Sequence, residues 1–163
     1  RPDGTADVVA DGLKFPNGLA LSADEAFLFC AQTSGADVLR FPILGGARLG
    51  TGERYGPVLG RLMRPGESAD NHGGDLGYTD GIGFDAEGNL WVCLPAANKV
   101  VAITPDGAVE TVIHDPSGKI VNHPTNVAWG GPDLKDLYIG SIRADYVLKA
   151  RSPVAGQPQI HQL

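Results

Sequence analysis

Helical periodicity is missing from this chain. No segment of its 163 residues keeps apolar side chains at helical spacing, so neither an all-α nor an α/β fold is expected. No apolar run approaches the ~20 residues that cross a bilayer as a helix, and no basic-then-apolar leader opens the sequence. A membrane is therefore not an expected partner. The first residues are Arg1-Pro2-Asp3-Gly4 rather than Met, which reads as the middle of a longer protein. Basic charge is scarce, with 13 Lys and Arg against 19 Asp and Glu and a formal net charge of −6. That argues against nucleic acid, because phosphate binding needs Lys and Arg in surplus on one face. Two cysteines, Cys30 and Cys93, cannot build a disulfide framework, and neither belongs to a Cys-x-x-Cys pair. Both fall in apolar runs and read as buried small hydrophobes, so a reducing, cytoplasmic setting is the expectation. No Gly-x-Ser-x-Gly elbow is present, which argues against a serine hydrolase.

Turn material is abundant instead. Gly 23 and Pro 12 make up about a fifth of the chain, beside 42% hydrophobic residues, a composition suited to many short strands joined by turns. Three segments share one pattern: Phe15-Pro16-Asn17-Gly18-Leu19-Ala20-Leu21-Ser22, Tyr78-Thr79-Asp80-Gly81-Ile82-Gly83-Phe84 and His123-Pro124-Thr125-Asn126-Val127-Ala128-Trp129-Gly130. Each sets a polar Asn or Asp ahead of small and apolar residues, then turns into a second apolar run. The interval from Asn17 to Asp80, shortened by an irregular Gly-rich stretch, approaches that from Asp80 to Asn126. A repeat of roughly 40–50 residues with four strands per unit is what a β-propeller blade gives.

An all-β propeller of four-stranded blades is therefore expected, with about three blades in this chain. Residues 1–13 would hold the outer strand of a preceding blade, Thr5–Ala10. Residues 14–59 would form one blade, with strands at Asn17, Ala26–Ala31, Asp37–Ile43 and Glu53–Leu59. Residues 60–77 form an irregular loop, a candidate lid. Residues 78–115 form the cleanest blade, with strands Thr79–Phe84, Asn89–Leu94, Lys99–Thr104 and Val109–His114. Residues 123–163 form a last, incomplete blade, because Pro153 and Pro158 break its fourth strand. Three blades are too few to close a ring. The rest would come from a missing N-terminal half, or from a second copy meeting this one head to tail.

In a propeller the inner strands line the central channel. Asn17, Asp80 and Asn126 are expected at one register in three inner strands, pointing at a common centre. A carboxylate and amide oxygens suit a hard divalent cation and not a zinc site, which wants His and Cys at short spacing. His123, at the start of an inner strand, and His72, in the loop, are candidate substrate contacts. Trp91 and Trp129 read as core.

The segments around Asn17 and Asp80, with Val100 to Gly107, Pro124 to Leu134 and the tail Pro153 to Pro158, resemble the SMP-30/gluconolactonase/LRE (regucalcin-like) family, C-terminal half. That resemblance implies a six-bladed propeller of about twice this length with one divalent metal in its channel. Calcium comes first, with zinc, manganese or magnesium as alternatives. The implied activity is metal-dependent hydrolysis of a sugar lactone or related cyclic ester. The family's metal-binding Asn falls on Asn17 and its metal-binding Asp, also the proposed base, on Asp80. A metal-activated water would attack the lactone carbonyl. The family's glutamate ligand and its substrate-contacting Arg and Asn would lie before residue 1. The alternatives are a non-catalytic calcium- or partner-binding propeller, a strictosidine-synthase-like or arylesterase-like relative, or a fragment inactive on its own.

Overall fold

Short strands, the central ones buried on both faces, organise the structure, a computed structural model that describes residues 4–46, 48–68 and 74–158. The chain is nearly all β, and each sheet is an antiparallel meander. The first sheet runs β1 (Pro16–Leu21), β2 (Phe27–Gln32), β3 (Asp37–Leu44), with β4 (Arg48–Leu49) folded back on the end of β3 and β5 (Glu53–Tyr55) along its outer side. The second runs β6 (Ile82–Phe84), β7 (Leu90–Leu94), β8 (Lys99–Ile103), β9 (Val109–His114). The third has three strands, β10 (Pro124–Gly130), β11 (Asp136–Ser141) and β12 (Leu148–Arg151), and the proline-broken tail adds no fourth.

Three expected strands differ. Thr5–Ala10 forms no strand, because none of the described strands lies beside it to complete a ladder. The strand expected over Glu53–Leu59 ends at Tyr55, where Gly56 turns to φ 71° and Pro57 has no N–H to donate. The ladder expected from Thr79 begins only at Ile82. Ahead of it, Asp80 N–H donates to Cys93 O at 3.0 Å, while Gly81 N–H turns away from its own sheet to Thr125 O at 2.8 Å.

Strand β7 shows how the sheets stack. All five of its residues are buried, and their alternation splits them between two cores. Leu90, Val92 and Leu94 pack toward the first sheet with Phe29, Ala31, Val38, Ile82 and Phe84. Trp91 and Cys93 pack toward the third sheet with Val127, Leu137 and Ile139. Burying each large aliphatic or Phe side chain contributes roughly 1.5–3 kcal/mol. Edge-to-face ring pairs add to this, Phe29 with Phe84 at 4.8 Å and Trp91 with Trp129 at 5.0 Å. The turn into β7 is fastened by buried Asp85. Its carboxylate accepts from Glu87 N, Asn89 N, Asn89 Nδ2 and Trp91 Nε1 at 2.8–3.0 Å, so the aspartate and the indole are held together. The tail returns to the same place, pairing Gly156 with Asp85 and donating from Gln157 N to Phe84 O at 3.0 Å.

Where inner strands meet, the separation is set by backbone. Gly18 N–H donates to Asp80 O at 3.2 Å and Gly81 N–H to Thr125 O at 2.8 Å. A Cβ on Gly18 would lie 2.5 Å from Asp80 O, and one on Gly81 would lie 2.5 Å from Thr125 O. Neither glycine has a positive φ, so the Asn-Gly and Asp-Gly pairs are not turns here. The glycines are present because the neighbouring strand is too close for a side chain. Gly81→Ala is expected to lower stability by about 1–3 kcal/mol, measured by urea denaturation; an unchanged midpoint would show that the seam opens freely.

Candidate functional site

The repeated inter-sheet bond defines equivalent positions. Asp80 O and Thr125 O accept from Gly18 and Gly81 in the same way. Leu19, Ile82 and Val127 hold matching places opposite Cys30, Val92 and Ile139. Asn17, Asp80 and Thr125 are therefore the equivalent residues, and Asn126 stands where the other strands have Gly18 and Gly81. The expected register for Asn126 is corrected by one residue, because β10 carries Pro-Thr-Asn where β1 carries Pro-Asn-Gly. Asn17, Asp80, Thr125 and Asn126 still line one cavity of about 770 Å3, together with Leu19, Leu21, Phe84, Trp129 and Gln157.

Asn17 and Asp80 are brought together across the seam between the first two sheets. The Asn17 side chain hydrogen-bonds the Asp80 carboxyl. Its Nδ2 also donates to Thr33 Oγ1 at 3.2 Å, and Thr33 Oγ1 donates to Thr79 O at 2.7 Å. Burial pushes the Asp80 carboxyl above its ordinary value, with hydrogen bonds from Asn17 and the Gly81 N–H opposing it. A half-buried carboxylate is thus left short of solvation on a wall whose other polar side chains are the neutral Asn17, Thr125, Asn126 and Gln157.

The other expected residues fall elsewhere. His123 is buried and outside the cavity lining. Its backbone N–H donates to Asn98 Oδ1 and its Nδ1 meets Asn122 Oδ1, both at 2.8 Å. His72 lies outside the described residues. The loop expected as a lid is pinned at its neck: Arg61 pairs with Glu67 and Asp75, and Arg61 and Leu76 form a bridge. That contact with Arg61 holds the Glu67 carboxyl down at about 2. Cys30 and Cys93 are buried free thiols. Burial first, and the Asp80 charge second, hold Cys93 well above its ordinary value, which suits packing and not nucleophilic attack. Among the described residues no three His, Cys, Asp or Glu side chains gather as a metal cluster, and no helix is long and apolar enough to cross a membrane. Sequence reasoning missed Thr33, Thr125 and Gln157. Thr125 was legible from the repeat, one residue before Asn126; Thr33 and Gln157 reach the site only through the fold.

Asp80 sets a pH dependence of stability. A carboxyl whose folded-state pKa exceeds the unfolded value binds more protons when folded. Its contribution is fully present below the ordinary value of 3.8 and is lost as pH rises through the folded-state value. In chelator, Asp80→Asn is expected to be more stable than the parent at pH 7, with the gap closing below about pH 4. Urea denaturation at both pH values checks this, and a variant less stable at pH 7 would contradict it.

The family model for the SMP-30/gluconolactonase/LRE-like region matches residues 1–143. The 6-deoxy-6-sulfogluconolactonase of Pseudomonas putida is 34% identical over 138 residues, 85% of this chain and 42% of that protein. The pentonolactonase of Haloferax volcanii is 29% identical over 143 residues, 88% of this chain and 43% of that protein. This chain spans less than half the length of those curated relatives. Among solved structures, a luciferin-regenerating enzyme superposes with TM-score 0.70 at 22% identity, covering 94% of this chain and 50% of that one. A Xanthomonas campestris gluconolactonase superposes with TM-score 0.60 at 26% identity, covering 86% and 39%. The chain belongs to the SMP-30/gluconolactonase/LRE-like family.

Proposed function

We propose that this chain is the C-terminal half of a six-bladed β-propeller that hydrolyses a sugar lactone or related cyclic ester. The observation that carries this reading is the meeting of the Asn17 amide and the Asp80 carboxyl on one cavity wall, from inner strands of two different sheets. Membership of a family whose relatives include sugar lactonases supports it.

The residues fit a hard divalent cation. Asn17 Oδ1 and the Asp80 carboxylate are oxygen donors, and Asp80 is an under-solvated anion that a cation would stabilise. Calcium, which takes 6–8 oxygen ligands, is the first choice, with zinc, manganese or magnesium as alternatives. Asn17 and Asp80 would supply two positions, the others coming from water, substrate and residues outside this chain. When bound, the cation would polarise the lactone carbonyl and balance charge on its oxygen. It would also pull the Asp80 pKa down, so Asp80 acts mainly by accepting a hydrogen bond from the attacking water and aiming it at the carbonyl carbon. The Asn17 hydrogen bond fixes the rotation of that carboxylate. Leu19, Leu21 and Trp129 on the same wall lower the local dielectric, which strengthens these contacts. The water oxygen forms a new bond to the acyl carbon as the ring acyl C–O bond breaks, and the proton the water gives up goes to the leaving alkoxide, yielding the hydroxy acid.

The remaining blades fit an N-terminal half better than a second copy. The chain covers 42–43% of the length of its curated relatives, and its match to them leaves the other half of each unaccounted for. The complete protein is taken as cytoplasmic.

In the complete protein, gluconolactone-type substrates with added Ca2+, Mn2+ or Zn2+ should be turned over in a pH-stat assay, and chelator should stop turnover. Asp80→Asn should cut kcat by at least ~100-fold with the circular dichroism unchanged. Undiminished turnover in that variant would refute the role given to Asp80.

A further inference from the structure

We infer that Thr33 is a positioning residue that fixes which end of the Asn17 amide faces the ligand. This rests on the reading of Asn17 as a cation ligand and extends it. A threonine hydroxyl carries one proton, and that of Thr33 goes to Thr79 O at 2.7 Å. Toward Asn17 its oxygen can only accept, so the amide must present its NH2 group there, at 3.2 Å. The amide's other end, Oδ1, is thereby turned away from Thr33 and left to accept from, or ligate, whatever enters the cavity. Without the hydroxyl the two ends of the amide are nearly isosteric, and the Asp80 carboxylate, which takes the other N–H of the same NH2 group, is left to select between them alone.

Thr33 is itself rigidly placed. It opens the short 3-10 turn Thr33–Gly35, which ends in a left-handed Ala36. Its N–H donates to Phe15 O at 3.0 Å, and the next N–H, of Ser34, donates to Lys14 O at 3.1 Å. The turn thus clamps the entry to β1. The hydroxyl then crosses to the backbone of the second sheet, immediately before Asp80, so one side chain ties both proposed ligand strands together. The matching turn of the second sheet, Pro95–Ala97, ends in a left-handed Asn98 and begins with proline. Proline has no hydroxyl, so this relay belongs to the first seam alone.

Two measurements on the complete protein test the inference, with Thr33→Val and Thr33→Ser compared with the parent. In 1H–15N spectra the Asn17 side-chain NH2 pair should exchange slowly and be well dispersed in the parent and in Thr33→Ser. In Thr33→Val its solvent exchange should quicken by about tenfold. Calorimetric Ca2+ titration should show affinity kept in Thr33→Ser and lowered by about tenfold in Thr33→Val, at the lower end of the range for lost outer-shell partners. Unchanged Asn17 signals in Thr33→Val would overturn the inference, as would altered signals with unchanged Ca2+ affinity. A parent protein that takes up no Ca2+ would count against the cation reading, while the Asn17 signals still decide whether Thr33 sets the amide. Loss of native dispersion in Thr33→Val alone, with Thr33→Ser intact, would overturn the inference by making Thr33 a folding residue.

Discussion

Two backbone hydrogen bonds between sheets, from Gly18 to Asp80 and from Gly81 to Thr125, govern the rest of this structure. They bring inner strands within backbone contact, a distance at which no Cβ is tolerated. The polar residue beside each glycine is carried to the seam by the same approach. Asn17 and Asp80 meet because Gly18 and Gly81 have no side chains. The dipeptides that would be read alone as turn formers are devices for stacking sheets edge to edge around a shared cavity.

The seam also decides the electrostatics. Pressed against the neighbouring strand, Asp80 loses water on one side and regains only part of that solvation from the Asn17 amide and the Gly81 N–H. Its carboxyl is pushed up, the state of an anion awaiting a partner. Asp85, five residues later on the far side of β6, shows the contrast. It is more deeply buried, yet its carboxylate accepts four donors from its own turn. One aspartate is fully served by its surroundings and holds a turn; the other is partly served and faces a cavity.

Packing repeats with the same regularity and then stops. Ile82 is 6% exposed where its equivalent Leu19 is 61% exposed, and Trp91 is 2% exposed where its equivalent Tyr138 is 38% exposed. The inner sheet is covered on both faces, whereas the first and third sheets each leave a face uncovered whose side chains match those buried elsewhere. That pattern agrees with a chain spanning less than half the length of its relatives. Apolar surface of this kind costs roughly 25 cal/mol per Å2 while it stays in water.

Strand identity was legible along much of the chain. The apolar runs that became β2, β7 and β8 are continuous and buried at consecutive positions, and the Gly and Asp turns between them are local chemistry. The repeat of a polar residue before a small one marked Asn17 and Asp80, because side-chain type and spacing survive in one dimension. Thr5–Ala10, expected as the outer strand of a preceding blade, has none of this chain's described strands beside it, since a strand is a pairing and pairing depends on a neighbour. Asn126 was placed one residue off register, because β10 carries Thr125 where β1 carries Asn17, and identical letters do not guarantee identical positions. His123 looked like a mouth residue and is buried against Asn98 and Asn122. The sequence by itself determined which residue types recur and where the backbone can turn, because those follow from local sterics and polarity. Only the tertiary structure decided that Gly18 and Gly81 are contacts and that Thr33 turns the Asn17 amide. It alone decided that Asp80 is starved of solvent, because each of these depends on how far away a distant strand lies.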